Sequence, residues 1–249
     1  MTPRVLHRDA HICVVDKPSG MPVIATRDGR EKPLQSLLQQ RLGQRLWVVH
    51  RIDRDTSGLV LFALNAQAHR WLCLQFEQRS VAKTYQALVA GAALADHGEV
   101  RVPLHGARKG KMRPAAADEP GTLEAHSSIW VQKRWPWPGP IDAGPIDAGP
   151  VTASPVTALT ALLSVQPHSG RQHQIRVHLR ALNAPILCDP LYQPRALAQA
   201  LAPVPIKRLA LHANKLAFLH PNGERCEFSA LPPEDFIAAE AWLDARCRC

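Results

Sequence analysis

Tyrosine is almost missing from this chain: there are 2 in 249 residues, beside 5 phenylalanines and 6 tryptophans. No apolar run approaches the ~20 residues that a membrane-spanning helix needs. Residues 1–16 lack the pattern of a secretory signal. These absences argue against integral-membrane and exported proteins, and a cytoplasmic location is expected. Six cysteines stand at 13, 73, 188, 226, 247 and 249, with no C-x-x-C among them. Neither a disulfide framework nor a cysteine zinc site is expected from that spacing. Basic residues are absent from 135 to 170, although Lys and Arg total 30 against 21 Asp and Glu. The formal charge of +9 allows a nucleic acid, an acidic membrane surface or an acidic protein as partner. With 46% hydrophobic residues the chain can bury a core, and its length suits one large domain or two closely packed lobes.

The pattern along the chain predicts a mixed, largely antiparallel α+β fold. Strands are expected at 12–15, 46–49, 59–64, 84–89, 99–104, 122–131, 160–165, 209–219 and 226–231. Helices are expected at 34–42, 66–78, 172–182 and 233–246, the second capped by Asn65 and the first stopped by Gly43. From Pro140 the chain repeats in fives, PIDAG, PIDAG, PVTAS, PVTAL. Proline at every fifth position blocks a continuous helix and a central strand. Residues 136–159 are therefore expected to be a loop inserted between two strands.

Three segments carry chemistry. The first is His50-Arg51-Ile52-Asp53-Arg54-Asp55-Thr56-Ser57-Gly58, a polar loop between apolar strands. On its own it reads as a solvated turn with local Arg–Asp pairs, or as an active-site loop at strand ends. Its D-x-D pair also fits a metal-dependent glycosyl-transfer enzyme. The second runs from His168 to Leu179, where a turn feeds a helix and suits anion binding. Its three histidines, spaced five and five, do not share a helical face, so a His-only metal site is not expected. Arg176 and Arg180 at i,i+4 would follow phosphates or form a solvated face. The third is Lys83-Thr84-Tyr85, with Lys83 assigned to substrate binding. Five basic residues and no acidic one lie between Arg101 and Arg113. Arg108, Lys109 and Lys111 would contact phosphates or lie on a solvated loop.

Taken together, VVDKPSGMPV (14–23), HRIDRDTSG (50–58), KTYQALVAG (83–91), SGRQHQIRVHL (169–179), CDPLY (188–192) and LHA (211–213) resemble, in order, the motifs of the RluA-type RNA pseudouridine synthases. The resemblance spans about residues 5–231. It implies a single catalytic domain over 1–249 with a central RNA-binding cleft and no small N-terminal RNA-binding domain. It implies isomerisation of uridine to pseudouridine in rRNA or tRNA, on a nucleotide flipped from its stack, with no cofactor and no metal. Asp53 would be the catalytic carboxylate, Arg171 its basic partner and Tyr85 the residue against the flipped base. Ile175 would line the uracil pocket and Arg51 would hold the vacated space or its phosphate. His50, Thr56 and Ser57 would shape the loop, and Asp55 would be the non-catalytic carboxylate. RNA is the expected partner, with no DNA and no membrane, and the enzyme is expected to be a monomer. The alternative is a catalytically inactive RNA-binding or ribosome-assembly protein of the same fold. One departure bears on geometry: Cys188 stands where the family often has Gly, and a positive φ there would strain it.

Overall fold

The computed structural model describes residues 2–26, 29, 31–91, 94–137 and 159–246. The chain divides into two units, Met1–Thr84 with His212–Pro232, and Tyr85–Leu211 with Pro233–Cys249.

The first unit begins with β1 (Arg4–Arg8) and β2 (Ile12–Lys17), followed by α1 (Leu34–Leu42), β3 (Trp47–Val48), β4 (Ser57–Ala63) and α2 (Ala66–Glu77). Every residue of β4 is buried, which is what its unbroken apolar run dictates. β2 lies antiparallel along one edge of β4, and β3 takes the end of the other edge at Phe62 and Ala63. α2 starts where Asn65 accepts the Ala68 N–H at 2.8 Å, and α1 stops at Gly43, whose φ is +62°. Ile12, Val14, Leu61, Leu72, Leu216 and Phe218 form the core of this unit.

The second unit opens in β5 (Ala82–Gly91), which runs across the unit boundary. β6 (His97–Val100), β7 (Leu104–Gly106), β8 (Met112–Pro114), β9 (Ser127–Pro136), β10 (Leu159–Pro167), α3 (Gln174–Ala181) and α4 (Arg195–Ala200) follow. β10 pairs antiparallel with both β5 and β9, and β6 pairs antiparallel with β9. β7 and β8 form a separate hairpin. The chain returns to the first unit through β11 (Leu211–Leu219) and β12 (Arg225–Ser229), and ends in the second with α5 (Glu234–Arg246). Phe236, Ala239 and Leu243 of α5 are fully buried beside Leu88, Leu163 and Leu179. The pairing of β11 with β4 is parallel, and the other pairings within each unit are antiparallel.

This is the expected mixed, mostly antiparallel α+β architecture, with local differences. The strand expected over 99–104 is divided between the end of β6 at Val100 and the start of β7 at Leu104, and the rest of the basic run forms an unforeseen β7–β8 hairpin joined by a single 3-10 turn. The strand expected from 122 starts at Ser127, because Leu123 makes only an isolated bridge to Leu104. α3 starts at Gln174 rather than 172, because His173 takes a left-handed φ of +54°. The six-residue α4 was not foreseen. Leu159 pairs with Pro136, so the inserted segment connects two neighbouring antiparallel strands. The pentads run from 140 to 159, and all of them but Leu159 lie outside the described residues.

Candidate active site

In the first unit the loop from His50 to Gly58 leaves β3 and enters β4. His50 is turned inward. Its Nε2 accepts the Leu61 N–H at 3.0 Å, and its ring stacks on Phe76 at 4.7 Å. Burial, helped by the charge of Lys83, pushes its pKa down to about 3, so the ring is neutral. Ile52 and Thr56 are buried, and the Thr56 N–H donates to the Asp53 carbonyl at 3.2 Å. Ser57 Oγ lies 3.0 Å from His212 Nδ1, whose Nε2 lies 3.0 Å from the Ala230 carbonyl. Gly58 has a φ of +110°, and a Cβ there would stand 2.3 Å from the Ala213 carbonyl oxygen. No other residue fits that close approach of β11.

The outer side of the loop is fixed from β2. Lys17 is fully buried, and its ammonium donates to the carbonyls of Pro18 (2.9 Å), Met21 (2.8 Å) and Arg54 (2.9 Å). The Gly20 N–H donates to the same Arg54 carbonyl at 2.9 Å, and Ser19 Oγ donates to the Asp55 carbonyl at 2.6 Å. Arg54 pairs with Glu31 at 3.1 Å and with Asp55 at 3.7 Å. Asp53 is half-buried between the exposed Arg51 and Arg54, in a backbone held on both sides. Lys83 also belongs to this unit, half-buried, and its burial lowers its pKa.

In the second unit Tyr85 is half-buried on β5, opposite Val165, with its ring against the core. Arg171 lies in the turn before α3. Its Nε donates to the Glu124 carbonyl at 3.1 Å, and its backbone N–H donates to Gln174 Oε1 at 3.1 Å. Gln174 organises this turn: Oε1 also accepts from Ser169 Oγ at 2.7 Å, while Nε2 donates to the His126 carbonyl at 2.9 Å and to Ser127 Oγ at 3.0 Å. His173 Nδ1 and Tyr192 Oη lie 2.8 Å apart, and Tyr192 Oη accepts the Met112 N–H at 2.9 Å.

One expectation on α3 needs correction. Arg176 does not follow phosphates on an open helix face. It is 3% exposed and grips Asp189 through two bonds, Nε to Oδ2 at 2.8 Å and Nη2 to Oδ1 at 2.7 Å. Asp189 Oδ1 also accepts the N–H groups of Leu191 and Tyr192, so the pair fastens the CDPLY loop to the helix. The i,i+4 spacing with Arg180 gave a shared face but not its burial. Ile175 is 6% exposed and packs in the unit's apolar core.

The basic hairpin projects beside this turn. Gln172 Nε2 donates to the Gly110 carbonyl at 3.2 Å. Arg108 is exposed and Lys111 half-buried, with its Nζ 3.5 Å from the Leu191 carbonyl, whereas Arg113 is tied to Glu119. The backbone of Lys109 lies in the 3-10 turn at the tip. Cys188 has the anticipated positive φ, +56°.

Sequence reasoning missed Lys17, Gln174 and Asp189 as positioning groups. A lysine closing an apolar strand just before Pro-Ser-Gly was the available signal for Lys17. Gln174 and Asp189 carried none, because each also joins a partner on another element, His126 and Ser127 for Gln174 and Arg176 for Asp189.

Asp53 and Lys83 thus lie in the first unit, and Tyr85 and Arg171 in the second. Comparison with known proteins identifies the family. The family model described as RNA pseudouridylate synthase matches residues 11–181, a span that runs through both units. The dual-specificity RNA pseudouridine synthase RluA of Pasteurella multocida (strain Pm70) is 35% identical over 232 residues, covering 92% of each chain. The tRNA pseudouridine synthase C of the same organism is 34% identical, covering 89% of this chain and 87% of its own. The solved structure of human RNA pseudouridylate synthase domain containing 1 superposes with a TM-score of 0.70 at 22% identity, over 93% of this chain and 84% of that one, and supports the fold. The chain belongs to the RNA pseudouridylate synthase family, and within it to the RluA type. It is an RNA pseudouridine synthase.

Proposed function

We propose that this enzyme isomerises specific uridines in structured ribosomal or transfer RNA, with Asp53 as the carboxylate that acts on the flipped nucleotide. The reaction breaks N1–C1′ and forms C5–C1′. The proton leaves C5 and N1 gains one, so atoms and electrons balance without any redox partner. A carboxylate serves this chemistry as nucleophile or as stabiliser of a cationic sugar. The observation that supports the assignment is the loop itself, in which Asp53 stands in a backbone anchored by Lys17, Thr56 and Gly20. Tyr85 stacks on the base and takes part in proton transfer. Arg171 supplies positive charge to the reacting groups. Arg51, Lys83, Arg108, Lys109 and Lys111 hold the RNA backbone. The 249 residues work as one catalytic domain, as a monomer, in the cytoplasm, on RNA and not DNA. Among the described residues no helix is long and apolar enough to cross a membrane.

The test is tritium release from 5-[³H]uridine RNA, with ribosomal and transfer RNA transcripts as substrates. Asp53→Asn is expected to abolish release while RNA binding persists. Substantial turnover by that variant rejects the assignment. Turnover by the wild type on neither RNA class rejects the proposed targets.

A further inference from the structure

Glu99, His126 and His168 meet at one end of the second unit's sheet, and the uridine chemistry uses none of them. Glu99 is in β6, His126 stands one residue before β9, and His168 one residue after β10. The strands bring them together: Glu99 pairs with Ser128, Ser128 with Gln166, and the His168 N–H donates to the His126 carbonyl at 2.9 Å. The imidazoles of His126 and His168 stack with centroids 4.3 Å apart. His126 Nε2 is hydrogen-bonded to Glu99 Oε2, and Ser128 Oγ lies 2.6 Å from His168 Nε2. One ligand atom from each of the three lies within 4.8 Å of the others. Glu99 and His168 are exposed, so an ion reaches them from solvent.

Neutral imidazole is the form that binds metal, and a carboxylate joins it readily at such sites. Two imidazoles and a carboxylate are a zinc-type donor set that leaves a fourth position for water. Bonds of ~2.0–2.1 Å place zinc's donors roughly 3.3 Å apart, and modest rotations of these side chains close that distance. Calcium and magnesium prefer oxygen ligands and fit poorly.

We propose that Glu99, His126 and His168 form a surface site for a divalent transition metal, independent of the isomerisation. Such an ion clips the ends of β6, β9 and β10 where the Arg171 turn departs. The His126 N–H donates to Ser169 Oγ at 3.2 Å, and Gln174 Nε2 donates to the His126 carbonyl, so the clip also braces that turn.

The test titrates the chelator-treated full chain with Zn²⁺ by calorimetry and with Co²⁺ by absorption. The wild type is expected to bind one equivalent, with cobalt ligand-field bands and no thiolate charge-transfer band. Glu99→Gln and His168→Asn are each expected to weaken binding at least ~10-fold with an unchanged circular dichroism spectrum. His105→Gln, outside the cluster, keeps wild-type affinity. Three outcomes overturn the proposal: no binding by the wild type, affinity indifferent to both ligand substitutions, or a thiolate band, which would place the ion at a cysteine such as Cys73 beside His69.

Discussion

Among the described residues each unit hides one Lys or Arg in its interior, and the two are satisfied in opposite ways. Lys17 in the first unit offers its ammonium to three backbone carbonyls from three points of the chain. Arg176 in the second lays its planar fork on the carboxylate of Asp189. An ammonium is a point charge with three donors that can radiate to separate acceptors, whereas a guanidinium matches one flat bidentate partner. The first arrangement knits loops together through backbone. The second pins a loop, residues 188–192, to a helix through a single ion pair. The Asp53 loop therefore depends on the size and shape of one cation, and the CDPLY loop on keeping both halves of a pair.

That contrast can be broken first at the pair. Asp189→Asn or Arg176→Met leaves an uncompensated buried group and is expected to lower unfolding free energy by about 3–5 kcal/mol, read from urea midpoints. Replacing both by apolar residues should recover most of the loss. Lys17→Met leaves three carbonyls without their shared donor and should cost about 3 kcal/mol. Lys17→Arg should not rescue it, since a flat fork cannot meet three converging oxygens. A fully stable Lys17→Arg would show that charge alone is what the loop needs.

Acid sharpens the comparison by acting on both units. His50 in the first has its pKa pushed down to about 3 and His178 in the second to about 4, each by burial. The unfolded chain protonates both near 6.5, while the folded chain resists. Their stabilising contribution is thus complete above 6.5 and declines as pH falls towards 4 and 3. His178 alone should remove about 2 kcal/mol at pH 5. His178→Gln should flatten urea midpoints plotted over that range. The smallest effect is expected at the basic hairpin. Arg108→Ala with Lys111→Ala should reduce the log–log salt slope of RNA binding by about one unit or less per contact. An unchanged slope would make the hairpin a solvated surface.

Legibility followed locality. The cap at Asn65, the stop at Gly43 and the buried run of β4 rest on neighbouring residues, and the sequence displays them directly. The loop carrying Asp53 is one contiguous segment and stood out for the same reason. Lys17 and Arg176 were misread or missed because burial depends on what other elements place above them. Spacing along one helix shows which residues share a face but not whether another loop covers it. His173 shortened α3 because its left-handed backbone is fastened by Tyr192, 19 residues away.

The tight seat of Gly58 against Ala213 also bears on the order of assembly. Ser57 and His212 are separated by 155 residues, and the parallel pairing that joins them is the last edge added to β4. A chain emerging from the ribosome has made its aspartate loop long before the strand that clamps it exists. Truncated chains lacking β11 are therefore expected to release no tritium from labelled RNA.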